Sequence, residues 1–464
     1  MTDLVGHARS KVTRSAKLDV FNMPSTDLSI TARREVRYSP KTTGITPISF
    51  EVDPIGDWID MDSSFIELLL TVKKSDGGNL AQTDVLVLAN NLAHTLFRQI
   101  SLKLNGTLLG PQTDNYHHQA YLETLLNYDR DDGGDLLAPQ GWYNCLEVAD
   151  DAVANTTQFT ANALDPTNAA YEALNERLKN VVDARVKFLG GNQIALRFTP
   201  HLEAFRLGKL LRPQVRIQME MFLNNPDLWT IRHDGAVRLR IMEADLKARL
   251  YLYHCRVQPS IYREILQQGN SGQVMTYPVV RGDMRSYSHA ADNRHFECLN
   301  PFQGNIPNRI VVCMLKQTAF NGTVTHNPFG YELFNLSTAK LNILSEEYPY
   351  ETLELNHDNG NTDLRGFHNF LQASGAYARG RGNLVKPEDW GYGPTKRASV
   401  LVFDTTANQA LDSPILNPKQ VGEVRLVLDF GGNPGSLLTV LVYGEFENVI
   451  EIDGKGAVIY DITK

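Results

Sequence analysis

From Arg34 onward, apolar and polar residues alternate with a period of two in many short runs. In the first half these are ISFEV (Ile48–Val52), FIELLLTV (65–72), QISLKLN (99–105), IALRF (Ile194–Phe198), VRIQMEM (215–221), VRLRI (237–241) and LKARLYLY (246–253). The second half repeats the pattern with RIVVCML (309–315), TAKLNI (338–343), SVLVF (399–403), VRLVLDF (Val424–Phe430) and LTVLVYGEF (438–446). Period two between turn residues predicts half-buried antiparallel strands. Two segments switch to helical spacing. YHHQAYLETLLNY (116–128) places Tyr121, Leu122, Leu125 and Leu126 on one side, and DLRGFHNFL (363–371) does the same with Leu364, Phe367, Phe370 and Leu371.

Each helix follows a strand and a polar turn, and each precedes a long excursion, so the chain reads as one plan used twice. The first excursion, about 129–185, is acidic at its start, with seven Asp or Glu against one Arg over residues 129–151. The second, about 375–396, is Gly-rich. Long helices do not alternate with the strands, which disfavours a doubly wound parallel sheet and predicts two β-sandwiches in tandem. A boundary is expected near 256–260, giving an arm (1–33), a first sandwich (34–256), a second (257–455) and a tail (456–464).

At 464 residues the chain is long enough for two cores, and 42% hydrophobic against 21% charged residues is ordinary globular composition. A net charge of −8 argues against a surface that wraps nucleic acid throughout. Residues 1–20 nevertheless carry Arg9, Lys11, Arg14 and Lys17 against Asp3 and Asp19. They predict a flexible arm whose basic groups touch phosphate weakly or dock on a neighbouring subunit. Arg379 and Arg381 could also meet nucleic acid, although a Gly-rich structural turn is the expected reading.

Cys145, Cys255, Cys298 and Cys313 lack paired spacing, so reduced, buried thiols are expected in place of zinc or redox chemistry. The N-terminus has no apolar signal-peptide core and the longest apolar runs are of strand length, so a soluble intracellular product without a membrane span is expected. The sequons at Asn105 and Asn321 then mark turns.

Candidate chemistry is thin. Asp129, Asp131, Asp132 and Asp135 around Gly133-Gly134 resemble a calcium loop, but Gln140 stands where the bidentate acid belongs, so a solvated acidic loop is expected. Neighbouring His117 and His118 point apart on a helix and are expected at the surface or in turn packing. Glu123, Asp404 and Glu445 could be offered as glycosidase carboxylates, with solvated strand edges as the plainer reading. Nucleophile-elbow, Walker and His-Glu-x-x-His motifs are absent, so no cofactor, metal or catalytic residue is assigned.

Four segments resemble the double jelly-roll major capsid proteins of Maverick (Polinton) elements and adintovirus-like viruses: LDVFNMPSTDLSI (18–30), HTLFRQISLKLNGTLL with the following YHHQAYLETLLNY (94–128), AFNGTVTHNPFGYELFN (319–335) and VYGEFENVIEID (442–453). The excursions match nothing in that family. The resemblance implies an all-β chain of two tandem jelly rolls and a homotrimeric, hexon-like capsomer, which tiles an icosahedral shell with no catalysis. It implies neighbouring capsomers, penton and minor capsid proteins as partners, residence in the virion, excursions forming outward towers, and an arm toward the interior. The alternatives are a tandem jelly-roll carbohydrate-binding or carbohydrate-active protein, with Trp58, Trp142, Trp229 or Trp390 as platforms, and a minor capsid component or domesticated cellular copy.

Overall fold

A computed structural model describes residues 9, 16–18, 20, 21, 23 and 25–461, apart from 43, 111, 149–158, 161, 233–237, 345, 356–362, 377–379, 381, 394, 410 and 412–414. The alternating segments form eight main strands in the first half: β1 (Ile30–Tyr38), β2 (Ile48–Val52), β3 (Trp58–Leu70), β4 (Phe97–Leu104), β5 (Thr107–Leu109), β6 (Ile194–Phe198), β7 (Ile217–Leu223) and β8 (Leu246–Val257). The second half has β9 (Met275–His289), β10 (His295–Leu299), β11 (Arg309–Lys316), β12 (Leu336–Ile343), β13 (Glu346–Glu354), β14 (Leu401–Asp404), β15 (Val424–Phe430) and β16 (Leu438–Ile452). A last strand, β17 (Val458–Tyr460), pairs with the end of β16.

The two halves share one strand order. The first half pairs as β1-β8-β3-β6 and β2-β7-β4-β5, the second as β9-β16-β11-β14 and β10-β15-β12-β13. Counted from the start of each half, both give 1-8-3-6 and 2-7-4-5, and every ladder is antiparallel. Apart from the paired fourth and fifth strands, successive strands alternate between the two sheets, and the first and last strands end side by side. Each half is a jelly roll.

Period two explains which faces are buried. In β8 the even residues Leu246, Ala248, Leu250 and Leu252 are buried and the odd residues Lys247, Arg249, Tyr251 and Tyr253 face outward. The first tight hairpin is set by Asn105-Gly106, with φ of 48° and 86°, a turn that matches the twist of β4 and β5. VRLRI contributes only Leu239–Arg240, paired with Lys73–Lys74, and residue 237 lies outside the described residues.

Four helices of ten or more residues complete the plan: α1 (Tyr116–Asn127), α2 (Glu176–Val186), α3 (Pro259–Asn270) and α4 (Leu364–Ala373). Helix α3 bridges β8 and β9, with Pro259 at its first turn, where a missing N–H costs nothing. Asp363 caps α4 by accepting from the Gly366 N–H. None of these helices is long and apolar enough to cross a membrane.

The first excursion is not a solvated loop. Its described part carries α2 and shorter turns, and builds a second core in which Tyr143, Cys145, Phe159, Leu164, Val181 and Val182 pack on Val87 and Ile231. Buried Arg185 ties it down by donating to the carbonyls of Ala81, Gln82 and Asp84 at 3.0, 3.1 and 2.6 Å. Asp129, expected in a solvated acidic loop, caps the short helix Arg130–Gly134 in a reciprocal box with Asp132. The two excursions meet where Arg177 pairs with Asp389 and Glu388. All four cysteines are buried and unpaired.

Gly366 lets α4 lie against Trp390: a β-carbon there would overlap that indole and approach Leu355 Cδ2 to 2.7 Å. Gly366→Ala gains helix propensity of about 1 kcal/mol, but the overlap outweighs it. A net loss of roughly 1–2 kcal/mol is expected, read as a lower urea midpoint at unchanged slope.

Candidate functional site at the junction of the two halves

Helix α1 lies between the two jelly rolls. Its Leu122, Leu125 and Leu126 join the first half's core, while its opposite side meets the outer face of the sheet β9-β16-β11-β14. Close approach is possible at Gly282 of β9, where a β-carbon would stand 2.6 Å from Gln119 Nε2 and 2.7 Å from the Tyr443 ring. A helix covered on both sides cannot send its polar groups to water, so each needs a partner in the protein.

Glu123 is the centre of that network. Its Oε1 accepts from the Tyr443 hydroxyl and from Gln119 Nε2, both at 2.9 Å, and its Oε2 lies 2.7 Å from both Arg206 Nη1 and His201 Nδ1. Burial alone would raise this carboxyl's pKa. Arg206 and His201 overcome that and hold it well below the ordinary carboxylate range.

Four histidines surround α1. His94 Nδ1 is 2.9 Å from the Tyr116 hydroxyl, and its ring packs edge-on against His201 at 4.7 Å between centroids. His118 Nδ1 is 2.9 Å from the Tyr331 hydroxyl, a contact from the first half into the second. His117 and His118 were expected at the surface, pointing apart. Both are instead buried, with ring centroids 4.3 Å apart, because the second half covers the side of α1 that a helix alone would expose. Burial lowers the pKa of all four, His117 to about 3, so the cluster is neutral. Neither ring nitrogen of His117 has a hydrogen-bond partner among the described residues.

Beside the network opens a cleft of about 620 Å³, lined by Glu123, Arg206, Arg309, Tyr443 and Glu445 and rimmed by Ile415 and Leu416. Arg309 Nη2 donates to Glu445 Oε1 at 2.7 Å. Glu123 and Glu445 on the cleft wall therefore each face a guanidinium, and Glu447, also on the wall, accepts from the Asn417 N–H and side-chain amide at 2.7 and 2.8 Å, whereas the acid of a glycosidase pair must keep its proton. Asp404 does not line this cleft; it accepts from the Thr406 N–H and hydroxyl at 2.9 and 2.6 Å. Glu123 and Glu445 are buried, which corrects their reading as solvated strand edges. Trp58, Trp142, Trp229 and Trp390 are also buried, so none offers an open ring face to a sugar.

One acid behaves differently. Glu203, buried beside Tyr460 with 3.3 Å between Oε1 and the hydroxyl, has its pKa pushed up to about 7 by burial. Of the N-terminal basic groups, Arg9 and Lys17 are exposed, while Lys11 and Arg14 lie outside the described residues, as do Arg379 and Arg381. No set of three or more His, Cys, Asp or Glu that could hold a metal occurs among the described residues. Sequence reasoning missed His201, Arg206, Arg309 and Tyr443. The visible signal was that Tyr116, Ala120, Tyr121, Leu122, Leu125 and Leu126 spread well beyond one stripe of the helix, the mark of one buried all round.

Comparison with solved structures places the strand order. The chain superposes on the Sputnik virophage structure with a TM-score of 0.57 at 11% identity, covering 100% of this chain and 96% of that one. The PBCV-1 virus capsid gives 0.56 at 12%, over 95% and 99%. The mavirus major capsid protein gives 0.51 at 11%, over 100% and 96%. The fold is a double jelly roll. The mavirus chain is a viral major capsid protein, and the other two structures are of a virus capsid and a virophage. In sequence, an uncharacterized Caenorhabditis elegans protein, F54H12.2, is 21% identical over 368 residues, 78% of this chain and 79% of that protein. No protein-family model matches.

The network makes junction stability pH-dependent with two opposing signs. A histidine held neutral takes a proton only on unfolding, so stability falls as pH drops below about 6.5; for His117 the loss is roughly 2 kcal/mol by pH 5. Glu203 acts oppositely: its raised pKa favours the folded state below about 4.5, and that contribution is lost as pH rises toward 7. Melting at pH 7 and pH 5 should therefore show a smaller acid loss for His117→Phe than for the parent. Glu203→Gln should show a larger one.

Arg206→Ala should destabilise by about 1–3 kcal/mol, since it strips a buried carboxylate of its cation at the open cleft wall. The measurement is the urea midpoint at pH 7, where Glu123→Gln in the same background should recover part of the loss.

Proposed function

We propose that this chain is a major capsid protein of the Maverick (Polinton) and adintovirus-like group, forming a trimeric, pseudo-hexagonal capsomer of an icosahedral shell. The observation that carries the reading is the 1-8-3-6 and 2-7-4-5 strand order used twice, with nearly end-to-end coverage of viral capsid proteins. The four sequence segments resembling the Maverick group supply the finer assignment. On this reading residues 34–256 and 257–455 are the two jelly rolls, standing upright in the tile, with the arm 1–33 before them and the tail 456–464 after. The excursions at about 129–185 and 375–396, joined through Arg177 and Asp389, form the outward tower.

The role is structural and non-catalytic. Ion pairing of Glu123 and Glu445 in the cleft and burial of all four tryptophans support it over a carbohydrate-active alternative. Arg9, Lys11, Arg14 and Lys17 reach the shell interior or a neighbouring subunit, with weak, salt-sensitive contact to packaged nucleic acid. Neighbouring capsomers, penton and minor capsid proteins are the partners, and the virion is the destination. Many modest interfaces suffice, because repetition around a closed shell multiplies them.

Light scattering on a sizing column should give three times the 52.0 kDa chain mass, with closed particles in electron micrographs at high concentration. A monomer at every concentration overturns the proposal. Deleting residues 1–20 should leave the trimer and impair shell formation, because none of the described residues of the arm joins either core.

A further inference from the structure

The motif AFNGTVTHNPFGYELFN (319–335) joins β11 to β12 and forms no strand of either sheet. It reaches into the first half. Gly322, with φ of 81°, passes Leu228 so closely that a β-carbon would stand 3.2 Å from the leucine's own. Asn327 Nδ2 donates to the Val148 carbonyl at 2.8 Å. At its base the segment is held to the second half, where the Tyr331 N–H donates to the Arg397 carbonyl at 2.9 Å and the Tyr331 carbonyl accepts from the Ser399 N–H at 3.0 Å. Residues 319–331 are thus a finger of the second jelly roll seated in the first.

The finger grips α1 through rings. Phe329 lies flat on Tyr121, with 4.0 Å between centroids, and Phe320 stacks on His118 at 5.6 Å. The Tyr331 hydroxyl is 2.9 Å from His118 Nδ1, and His117 stands 4.3 Å from His118 and 6.5 Å from Phe329. Phe329, Tyr331 and both histidines are buried. Neither ring nitrogen of His117, nor His118 Nε2, has a hydrogen-bond partner among the described residues. A phenyl ring would fill the place of His117 without burying two unmet polar atoms.

Titratable neighbours decide what a proton would meet there. Around His117 and His118 these are Tyr121 on α1, Tyr331 with Cys313 of β11 beside it, and, next to Gly330, Arg397 paired with Glu332. Within the finger His326 Nδ1 lies 3.0 Å from Thr325 Oγ1. No carboxylate among the described residues acts on either ring of the pair. The other two histidines differ, because His201 Nδ1 lies 2.7 Å from Glu123 Oε2, with Arg206 and the Tyr116 hydroxyl at hand, so a proton arriving there finds a counter-charge. For His117 and His118 it finds only the other ring. Two imidazolium rings in an apolar seat would repel each other and lose their hydration. They take protons when the finger lifts and water enters.

We propose that the finger 319–331 is an acid-released latch: on acidification, protonation of His117 and His118 lifts it from α1 and loosens the junction, while each sandwich stays folded. The sign follows from which state binds the proton. A ring kept neutral when closed titrates near about 6.5 when open, so closure is undiminished above that value and is lost progressively below it, toward the depressed value of the closed state, about 3 for His117. Between pH 7 and pH 5 each ring multiplies the opening equilibrium by about 25, and the two together by roughly 600. The device lies within one chain, so it stands whatever the chain assembles into.

Hydrogen exchange of the unaltered full chain at pH 7 and pH 5, with each amide corrected for its intrinsic rate, reads the opening without any variant. At pH 5 the segment 319–331 should exchange several-hundred-fold more readily than at pH 7, and well ahead of β7 and β15 inside the two sandwiches. No rise in 319–331 overturns the proposal. Exchange of all three segments in step overturns it too, because that is unfolding in place of release. His117→Phe should cut the rise to about 25-fold, the share of His118 alone. A rise of unchanged size in that variant removes His117 from the latch and overturns the proposal as stated.

Discussion

The structure depends on burying a carboxylate. Glu123 sits on a helix with a jelly roll on each side, and taking an ionised group so far from water is prohibitive unless donors replace the lost hydration. Tyr443 from the second half, and Gln119, His201 and Arg206 from the first, supply them. Each donor needs its own element in place: β16 for Tyr443, and the segment between β6 and β7 for His201 and Arg206. The two halves therefore cannot slide or rotate against each other without taking the Tyr443 hydroxyl from a buried carboxylate oxygen and the Tyr331 hydroxyl from His118. Apolar contacts alone would not impose that condition, since packing is non-directional and tolerates many offsets.

From that constraint follows an asymmetry between halves that share a topology. Once α1 is clamped, the outer face of β9-β16-β11-β14 is covered inside the chain and β16 is buried on both faces over the nearly continuous apolar run from Leu438 to Phe446. The equivalent sheet of the first half keeps polar odd positions on β8 and arginines on β1. The two helices diverge in step. Helix α1 carries buried histidines and a glutamate, while α4 is amphipathic, with Arg365 and Gln372 exposed opposite Phe367 and Phe370.

Strands were legible because a jelly roll is built of short elements with one wet face, and alternation at β2, β4, β8 or β15 needs no knowledge of the partner. The helices α1 and α4 were legible for the same reason. Sequence reasoning failed wherever a residue's surroundings came from another part of the chain. His117 and His118 occupy what an isolated helix would expose, and only the second half buries them. Asp129 and Asp132 satisfy each other locally, so their acidity spoke for a helix cap where a solvated loop was expected. The excursion after α1 hid its core because Val181 and Val182 pack on Val87 and Ile231, which lie far away in sequence. Arg206 and His201, on an irregular segment, carried no periodic signal.

Why a polar junction persists follows from what a tile needs. Replacing buried ion pairs by apolar groups of equal volume is commonly neutral or stabilising, so stability alone does not account for Glu123 with Arg206 or Arg309 with Glu445. Directional bonds supply what apolar contact does not, a single angle between the two sandwiches. Under the capsid reading that angle matters beyond the chain, because a small tilt between two halves is repeated at each copy of a closed ring and at each tile of a shell. A rotated apolar junction would lose little energy. A rotated polar junction would cost Glu123 its Tyr443 donor and His118 its Tyr331 partner, so misaligned tiles carry a cost before assembly begins.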